Sequence, residues 1–236
     1  MTIAPYYPSS RQLAFIAVMY GCCAISSVAG TEYIATPNVN LRVPVTSNYE
    51  ARFLSTIKQE RDFSCGSAAV ATLLTYHYEF PVSEHDVFDY MYRHGDQAQI
   101  RRAGFSLLDM KQYLESRGFP ADGFRLPLDE LAKIGVPAII LINDDGYNHF
   151  VVVKGISRRY VLLGDPAKGT RAMDRGRFER IWNGLAFVIR NKVDVASAHF
   201  NLGEEWRVTA RAPLDIVIPH QGIAAFLLAL PGPYEF

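Results

Sequence analysis

The chain has 236 residues, which is enough for one sizeable hydrophobic core or for a core with a small appendage. Hydrophobic residues make up 49% of it and charged residues 20%, a composition typical of globular proteins and unlike that of disordered chains. The formal net charge is zero, and this balance argues against a nucleic-acid or anionic-membrane partner.

The N-terminus has the pattern of an export signal. Arg11 provides a positive charge, residues 13–25 form an apolar run, and the Ser-Val-Ala sequence at 27–29 offers a cleavage site of the small-x-small type. We therefore predict a signal peptide over residues 1–29. An uncleaved membrane anchor is the alternative, although the apolar run is shorter than the about 20 residues that a spanning helix needs.

An extended arm or a single edge strand is expected over residues 30–54, ahead of a domain over residues 55–194. Helical signals dominate the first half of this domain. A run of small and apolar residues predicts a buried helix from Cys65 to about residue 78. Serine caps at Ser83 and Ser106 predict two more helices, and a fourth is expected over residues 128–134.

Strand signals dominate the second half of the domain. Predicted strands cover residues 136–142, 149–156, 160–163, 170–173 and 186–190, with one helix over residues 175–182. The second and third of these strands are expected to pair as an antiparallel hairpin. Helices followed by an antiparallel sheet are typical of an α+β fold. The extension over residues 195–236 has its own apolar segments and is expected either to pack on the sheet or to dock a partner.

Cys65 is the strongest candidate for a catalytic side chain, since Cys22 and Cys23 lie within the predicted signal. A cysteine attacks as the thiolate, and a position at the first turn of a helix directs the positive end of the helix dipole at the sulfur. Gly66 is expected to leave room for a substrate carbonyl beside the thiol. The alternative is an inert cysteine buried in the core.

Three further residues complete a set that suits a cysteine peptidase. Gln59, six residues before Cys65, is predicted to donate its side-chain amide to an oxyanion. His149 stands at the head of a predicted strand and is the candidate base, and Asp165, sixteen residues later, is the candidate that orients it. Each has an ordinary alternative: an exposed loop glutamine, a structural histidine and an Asp-Pro turn.

Cofactor chemistry finds little support in the sequence. No His-x-x-x-His or Cys-x-x-Cys pair is present, so no metal site is predicted. The glycine-containing segment at 164–170 lacks the Gly-Lys-Ser/Thr ending of a phosphate-binding loop, so no ATP site is predicted either.

The assembled motifs resemble those of the bacteriocin-processing (double-glycine leader) cysteine peptidase family over residues 55–192. The resemblance rests on Gln59-x5-Cys65-Gly66, His149-Phe150-Val151-Val152 and Asp165-Pro166-Ala167-x-Gly169. It implies a papain-like fold, cleavage of leader peptides after Gly-Gly or Gly-Ala, and four roles. The oxyanion donor would be Gln59, the nucleophile Cys65, the base His149 and its orienting carboxylate Asp165.

Two departures from the family narrow this expectation. Ser64 precedes the cysteine where family members often have Asp, and the chain has no transporter or nucleotide-binding domain of the kind to which many are fused. A free-standing exported form is similar to the peptidase component of bacterial functional-amyloid (Fap) secretion systems. That similarity implies a periplasmic location and, as polypeptide substrate, an amyloid subunit or another secretion component.

Three functions therefore stay open at the level of sequence. The first is a periplasmic cysteine endopeptidase that acts through a thioester acyl-enzyme. The second is a non-proteolytic papain-like module that binds unfolded secretion cargo, and the third is an acyltransferase that resolves the same thioester with an amine.

Overall fold

The computed structural model describes residues 31–36, 39–44, 47–144 and 146–209. The predicted signal peptide and residues 210–236 of the C-terminal extension lie outside the described residues. The chain divides into two compact units, one up to residue 46 and the other from residue 47 onward.

The first unit contains an antiparallel hairpin of strands β1 (Thr31–Thr36) and β2 (Val39–Pro44). Both segments are rich in Thr, Val and Ile, the β-branched residues that favour strands. The expectation of an arm or one edge strand is thus corrected here, because the two strands pair with each other.

Helices fill the first half of the second unit, as predicted. Ser83 accepts a hydrogen bond from the backbone N–H of Asp86, and Ser106 forms a reciprocal capping box with Asp109. These caps fix the starts of two predicted helices. The helices are α1 (Asn48–Ala51), α2 (Cys65–His77), α3 (Glu84–His94), α4 (Gln97–Ala103), α5 (Leu107–Ser116) and α6 (Leu128–Ile134).

Six antiparallel strands form the sheet of this unit, in the order β3-β8-β4-β5-β6-β7. Their bounds are β3 (Ala121–Arg125), β4 (Ala138–Asp144), β5 (Tyr147–Ile156), β6 (Tyr160–Asp165), β7 (Gly169–Asp174) and β8 (Trp182–Ile189), with α7 (Arg175–Ile181) between the last two. The predicted α+β fold is confirmed, with the N-terminal helices packed on an antiparallel sheet.

Between residues 55 and 192, two short elements were not predicted, namely β3 and α4. Strand β3 has the sequence Ala-Asp-Gly-Phe-Arg, in which only Ala121 is buried, and it forms by pairing with β8. Helix α4 buries only Ile100. Neither segment carries the apolar periodicity that sequence reasoning requires, so tertiary contacts determine both.

Two hydrophobic clusters form the core. One contains side chains of α2, α3 and α5 together with Phe150 and Val152 of β5, and the other contains α6, α7, Val151 and Val153. Neighbouring β5 residues therefore belong to different clusters, as strand geometry requires. Strand β5 is a central scaffold on which both clusters depend.

The described part of the C-terminal extension packs against β5. Helices α8 (Val193–Ala198) and α9 (Gly203–Thr209) flank Asn201, whose side-chain amide accepts from the backbone N–H of Ile156 and donates to its carbonyl. Packing on the sheet, one of the two expectations for this segment, is thus realised up to residue 209. None of the helices in the described ranges is long and apolar enough to cross a membrane.

Candidate active site

Cys65 is the first residue of α2, where the sequence placed it. It is a free cysteine and only 7% exposed. The first turn of a helix leaves its backbone N–H groups without intrahelical partners, and their partial positive charge favours an anion. The fold therefore presents the thiol to donors that could stabilise both a thiolate and an oxyanion.

Gly66 has a different role from the one predicted. A Cβ atom built there would lie 2.7 Å from Cε of Met110 and 3.1 Å from Cβ of Phe105. The missing side chain thus allows α2 to approach these core residues closely. The expectation that Gly66 leaves room for a substrate carbonyl is corrected, because the space beside its Cα is already occupied by the core.

His149 and Asp165 meet through the antiparallel strands β5 and β6. The His149 Nε2 atom lies 2.7 Å from Asp165 Oδ1, and both side chains are buried. Because an ionised carboxylate can only accept, Nε2 carries the proton of this hydrogen bond. The predicted orienting contact is therefore present in the structure.

The remaining nitrogen of His149 is the one available to the thiol. Nδ1 is buried and has no hydrogen bond of good geometry within the described residues. Burial alone would lower the pKa of His149, but the hydrogen bond with Asp165 and the adjacent Cys65 outweigh it and raise this pKa to about 9. The imidazole is thus set to hold a proton beside Cys65 at neutral pH.

The Asp165 carboxylate is held by four groups. Oδ1 also accepts from the backbone N–H groups of Ala167 (3.0 Å) and Lys168 (3.2 Å), and Oδ2 accepts from Arg171 Nε at 2.9 Å. Burial would raise the pKa of Asp165, but the hydrogen bond with His149 and the neighbouring positive charges outweigh it and lower this pKa to about 2. The carboxylate is therefore ionised across the physiological range.

Gln59 lies in the loop that leads into α2. Its Nε2 donates to the carbonyl of Arg61 at 2.9 Å, and its backbone N–H donates to the carbonyl of Pro166 at 3.0 Å. The second bond ties this loop to the turn after Asp165. One amide hydrogen of Gln59 is thus used within the loop, and the predicted donor role stays a prediction.

Ser64, the residue just before Cys65, closes the same loop. Its hydroxyl donates to the carbonyl of Arg61 and accepts from the backbone N–H of Arg61, at 3.0 and 3.1 Å. A hydroxyl can do both, whereas an ionised carboxylate only accepts. Ser64 therefore stabilises the turn that delivers Cys65.

Sequence reasoning missed two residues near the site, Tyr147 and Arg171. The Tyr147 ring stacks on His149 with centroids 5.8 Å apart, and its hydroxyl donates to the carbonyl of Asp62 at 3.1 Å. Tyr147 thus bridges the strand that carries His149 and the loop before Cys65. The only available signals were its place two residues before His149 and, for Arg171, a place in the next predicted strand after Asp165.

Other candidate chemistries find no support in the described residues. His77 is buried near the C-terminal end of α2, and burial together with the charge of Lys154 lowers its pKa to about 3. Across the described ranges no group of three His, Cys, Asp or Glu side chains could hold a metal ion.

Comparisons with known proteins find similarity to a peptidase family and to proteins named as proteases, in agreement with the geometry of the site. The sequence model of the family described as "Peptidase C39 family" matches residues 54–194 of this chain. Over 145 residues the chain is 42% identical to the "Probable functional amyloid protease FapD" of Pseudomonas aeruginosa, covering 61% of this chain and 64% of that protein. Over 169 residues it is 38% identical to the protein of the same name from Pseudomonas fluorescens, covering 72% of each. The first match thus spans slightly less than two thirds of its relative.

Two solved structures are also similar. One is a double glycine motif protease from an AMS/PCAT transporter in complex with the leader peptide, at 29% identity and a TM-score of 0.48, covering 56% of this chain and 88% of that one. The other is the peptidase domain of Streptococcus ComA, at 21% identity and a TM-score of 0.49, covering 57% and 96%.

The family match confirms the predicted resemblance to double-glycine leader peptidases and, at the level of the family, the prediction of a cysteine peptidase. It covers more than half of the 236 residues and includes all four predicted site residues. This chain belongs to the Peptidase C39 family.

Proposed function

We propose that this protein is a periplasmic cysteine endopeptidase that cleaves a polypeptide of a functional-amyloid or other secretion pathway after a pair of small residues. The observation that carries the proposal is the buried contact of 2.7 Å between His149 Nε2 and Asp165 Oδ1, with the second nitrogen of His149 left for Cys65. A merely structural histidine would not need a free ring nitrogen beside a thiol.

The chemistry follows from this arrangement. His149 holds the proton of Cys65 on Nδ1, and the thiolate attacks the scissile carbonyl carbon to form a C–S bond. Nδ1–H then protonates the leaving amine as the C–N bond breaks, which leaves a thioester on Cys65. Nδ1 next accepts a proton from water, whose oxygen attacks the thioester, and Cys65 departs as thiolate. Asp165 keeps Nε2–H in place throughout.

Two donors are proposed for the oxyanion that forms in each step. The backbone N–H of Cys65 is one of the unpaired donors at the start of α2, and the second amide hydrogen of Gln59 is the other. Loss of one such donor typically costs about 10²–10³ in rate. The bond from the Gln59 backbone to Pro166 keeps this loop in register with the Asp165 turn.

Location and substrate rest on separate support. The predicted export signal over residues 1–29 supports a periplasmic location. The names of the two Pseudomonas relatives support a functional-amyloid pathway, and the leader peptide bound to the transporter protease supports a substrate with small residues at the cut.

The test compares strains that carry the natural chain, Cys65→Ser, or Arg177→Met as a surface control. New N-termini in the envelope fraction are identified by amine labelling and mass spectrometry. We expect cleavage products that follow two small residues in the natural and control strains, reduced at least about a hundredfold in Cys65→Ser, which lacks the nucleophile. An export reporter fused after residue 46 checks the location.

Unchanged processing of every candidate in Cys65→Ser would contradict peptidase activity. If the Cys65→Ser protein still bound a secretion component, the non-proteolytic binding module would replace the proposal. A product in which the new C-terminus is joined to an amine would instead indicate acyl transfer.

A further inference from the structure

The register of β6 and β7 brings Arg171 to the carboxylate that orients His149. Leu163 of β6 lies directly opposite Arg171 of β7, and Asp165 lies opposite Gly169. Residues two apart share one face of a strand, so Arg171 is a diagonal neighbour of Asp165 on the same face. A side chain as long as arginine spans this diagonal.

Arg171 forms a hydrogen bond to a different oxygen of Asp165 from the other groups that hold this carboxylate. His149, Ala167 and Lys168 all use Oδ1 of Asp165, whereas Arg171 Nε approaches Oδ2 at 2.9 Å. The Asp165 side chain is fully buried and that of Arg171 is 20% exposed, so water screens this ion pair only weakly.

We infer that Arg171 is a positioning residue of the active site, which fixes the plane of the Asp165 carboxylate and thereby the imidazole of His149. The inference rests on the proposed function, because it assigns a role in forming the thiolate–imidazolium pair. Without the bond to Oδ2, the carboxylate is held only through Oδ1, so its plane is less firmly fixed and its bond to Nε2 loses direction.

The charge of Arg171 acts in the same sense as its hydrogen bond. A cation beside Asp165 favours ionised acidic groups nearby, and an oriented Asp165 favours protonated His149. Both effects allow the thiolate–imidazolium pair to form at lower pH. The other ionisable groups facing this site are Cys65 on α2, Tyr147 at the start of β5, Asp62 in the loop before α2, Asp144 at the end of β4 and Lys168 in the turn.

The test is the pH dependence of Cys65 alkylation by iodoacetamide in the full chain, which needs no substrate. We expect the midpoint of the alkylation profile in Arg171→Met to lie at least about 0.5 pH unit above that of the natural chain, and labelling at a pH below both midpoints to fall about three- to tenfold. Arg171→Lys, which keeps the charge, is expected to recover part of the shift.

Arg177→Met is the matched control. Arg177 pairs with Asp144 at 2.8 Å, so this variant removes an equal charge from the same region at a residue outside the four groups that hold Asp165. Its midpoint is expected to stay within about 0.2 pH unit of the natural one, a small shift because exposed charges are well screened. Arg171→Leu, which also lacks both the donor and the charge, serves if Arg171→Met does not fold.

The outcomes separate the two proposals. A low midpoint in the natural chain that is lost in His149→Ala but unchanged in Arg171→Met or Arg171→Leu overturns the role of Arg171 alone. An ordinary thiol titration in the natural chain, near pH 8.5, overturns the thiolate–imidazolium pair and the role of Arg171 with it. A reduced plateau with an unshifted midpoint also contradicts positioning, since a general structural defect has that signature.

Discussion

Strand β5 contributes a residue to a buried ion pair near each of its ends. The two pairs differ in how many oxygens of the carboxylate have hydrogen-bond partners. His149, near its start, contacts Asp165, while Lys154, five residues later, contacts Glu205 of α9. Both oxygens of Asp165 have partners, whereas Oε2 of Glu205 is buried without one in the described residues. The contacts of the first pair therefore hold the Asp165 carboxylate in one orientation.

The second pair instead joins segments that are distant in sequence. Lys154 Nζ also donates to the carbonyl and the hydroxyl of Ser55, at 2.6 and 2.7 Å. It thereby connects the segment before α2, the sheet and the described part of the C-terminal extension. This cluster lies near Tyr76, at the far end of α2 from Cys65. The proposed catalytic residues and the contacts that join distant segments are therefore located at opposite ends of β5.

The largest expected effect is a difference in peptide-cleavage rate between variants of Asp165 and variants of Glu205. Asp165→Ala is expected to lower the rate of peptide cleavage by about a hundredfold or more, because His149 loses its orienting acceptor. Asp165→Asn keeps an acceptor oxygen and is expected to lose less. Rates are measured with a peptide from the natural substrate, at matched concentrations of folded protein.

Glu205→Gln is the control for this comparison, since it removes the charge of the other pair. Its cleavage rate per folded molecule is expected to stay within about threefold of the natural rate, a range set by its distance from the reacting atoms. Equal losses in Glu205→Gln and Asp165→Ala would contradict the division of roles along β5.

The next effect concerns stability. Lys154→Met is expected to lower the free energy of unfolding by about 3 kcal/mol or more, because it leaves Glu205 as an uncompensated buried charge. The double variant Lys154→Met with Glu205→Leu is expected to regain much of the loss, since no charge is then buried. Urea titration of all three proteins measures the effect, and an additive double variant would contradict the coupling.

The sequence predicted those parts of the molecule that depend on local patterns. Small residues and helix caps located α2, α3 and α5, and alternation and turn residues located β5 and β6 as a hairpin. That hairpin in turn brought His149 and Asp165 together, as expected. Each of these features is encoded within about a dozen neighbouring residues.

Features that depend on strand register or on distant segments could not be predicted in this way. The contact of Arg171 with Asp165 requires the alignment of β6 with β7, and the burial of Lys154 requires partners from residues 55 and 205. A lysine in an apolar strand has no local signal that distinguishes a buried charge from an exposed one. Gly66 was misread for the same reason, because its neighbours belong to α5 and the loop before it.

The third effect is a pH dependence of stability, which has opposite signs for His149 of β5 and His77 of α2. The pKa of His149 is raised to about 9 in the folded protein from an ordinary value of 6.5, so its stabilisation is complete below pH 6.5 and is lost as the pH rises through 9. The pKa of His77 is lowered to about 3, so its stabilisation is present above pH 6.5 and is lost as the pH falls below it.

The free energy of unfolding is therefore expected to be greatest near pH 6.5 and to fall by about 3 kcal/mol on the alkaline limb and about 5 kcal/mol on the acid limb. Two variants distinguish the limbs. His149→Gln is expected to flatten the alkaline limb. His77→Asn, which can still donate to the carbonyl of His199, is expected to flatten the acid limb. If His149→Gln left the alkaline limb unchanged, the imidazole would not be protonated in the folded state, and the ion pair with Cys65 would lose its physical basis.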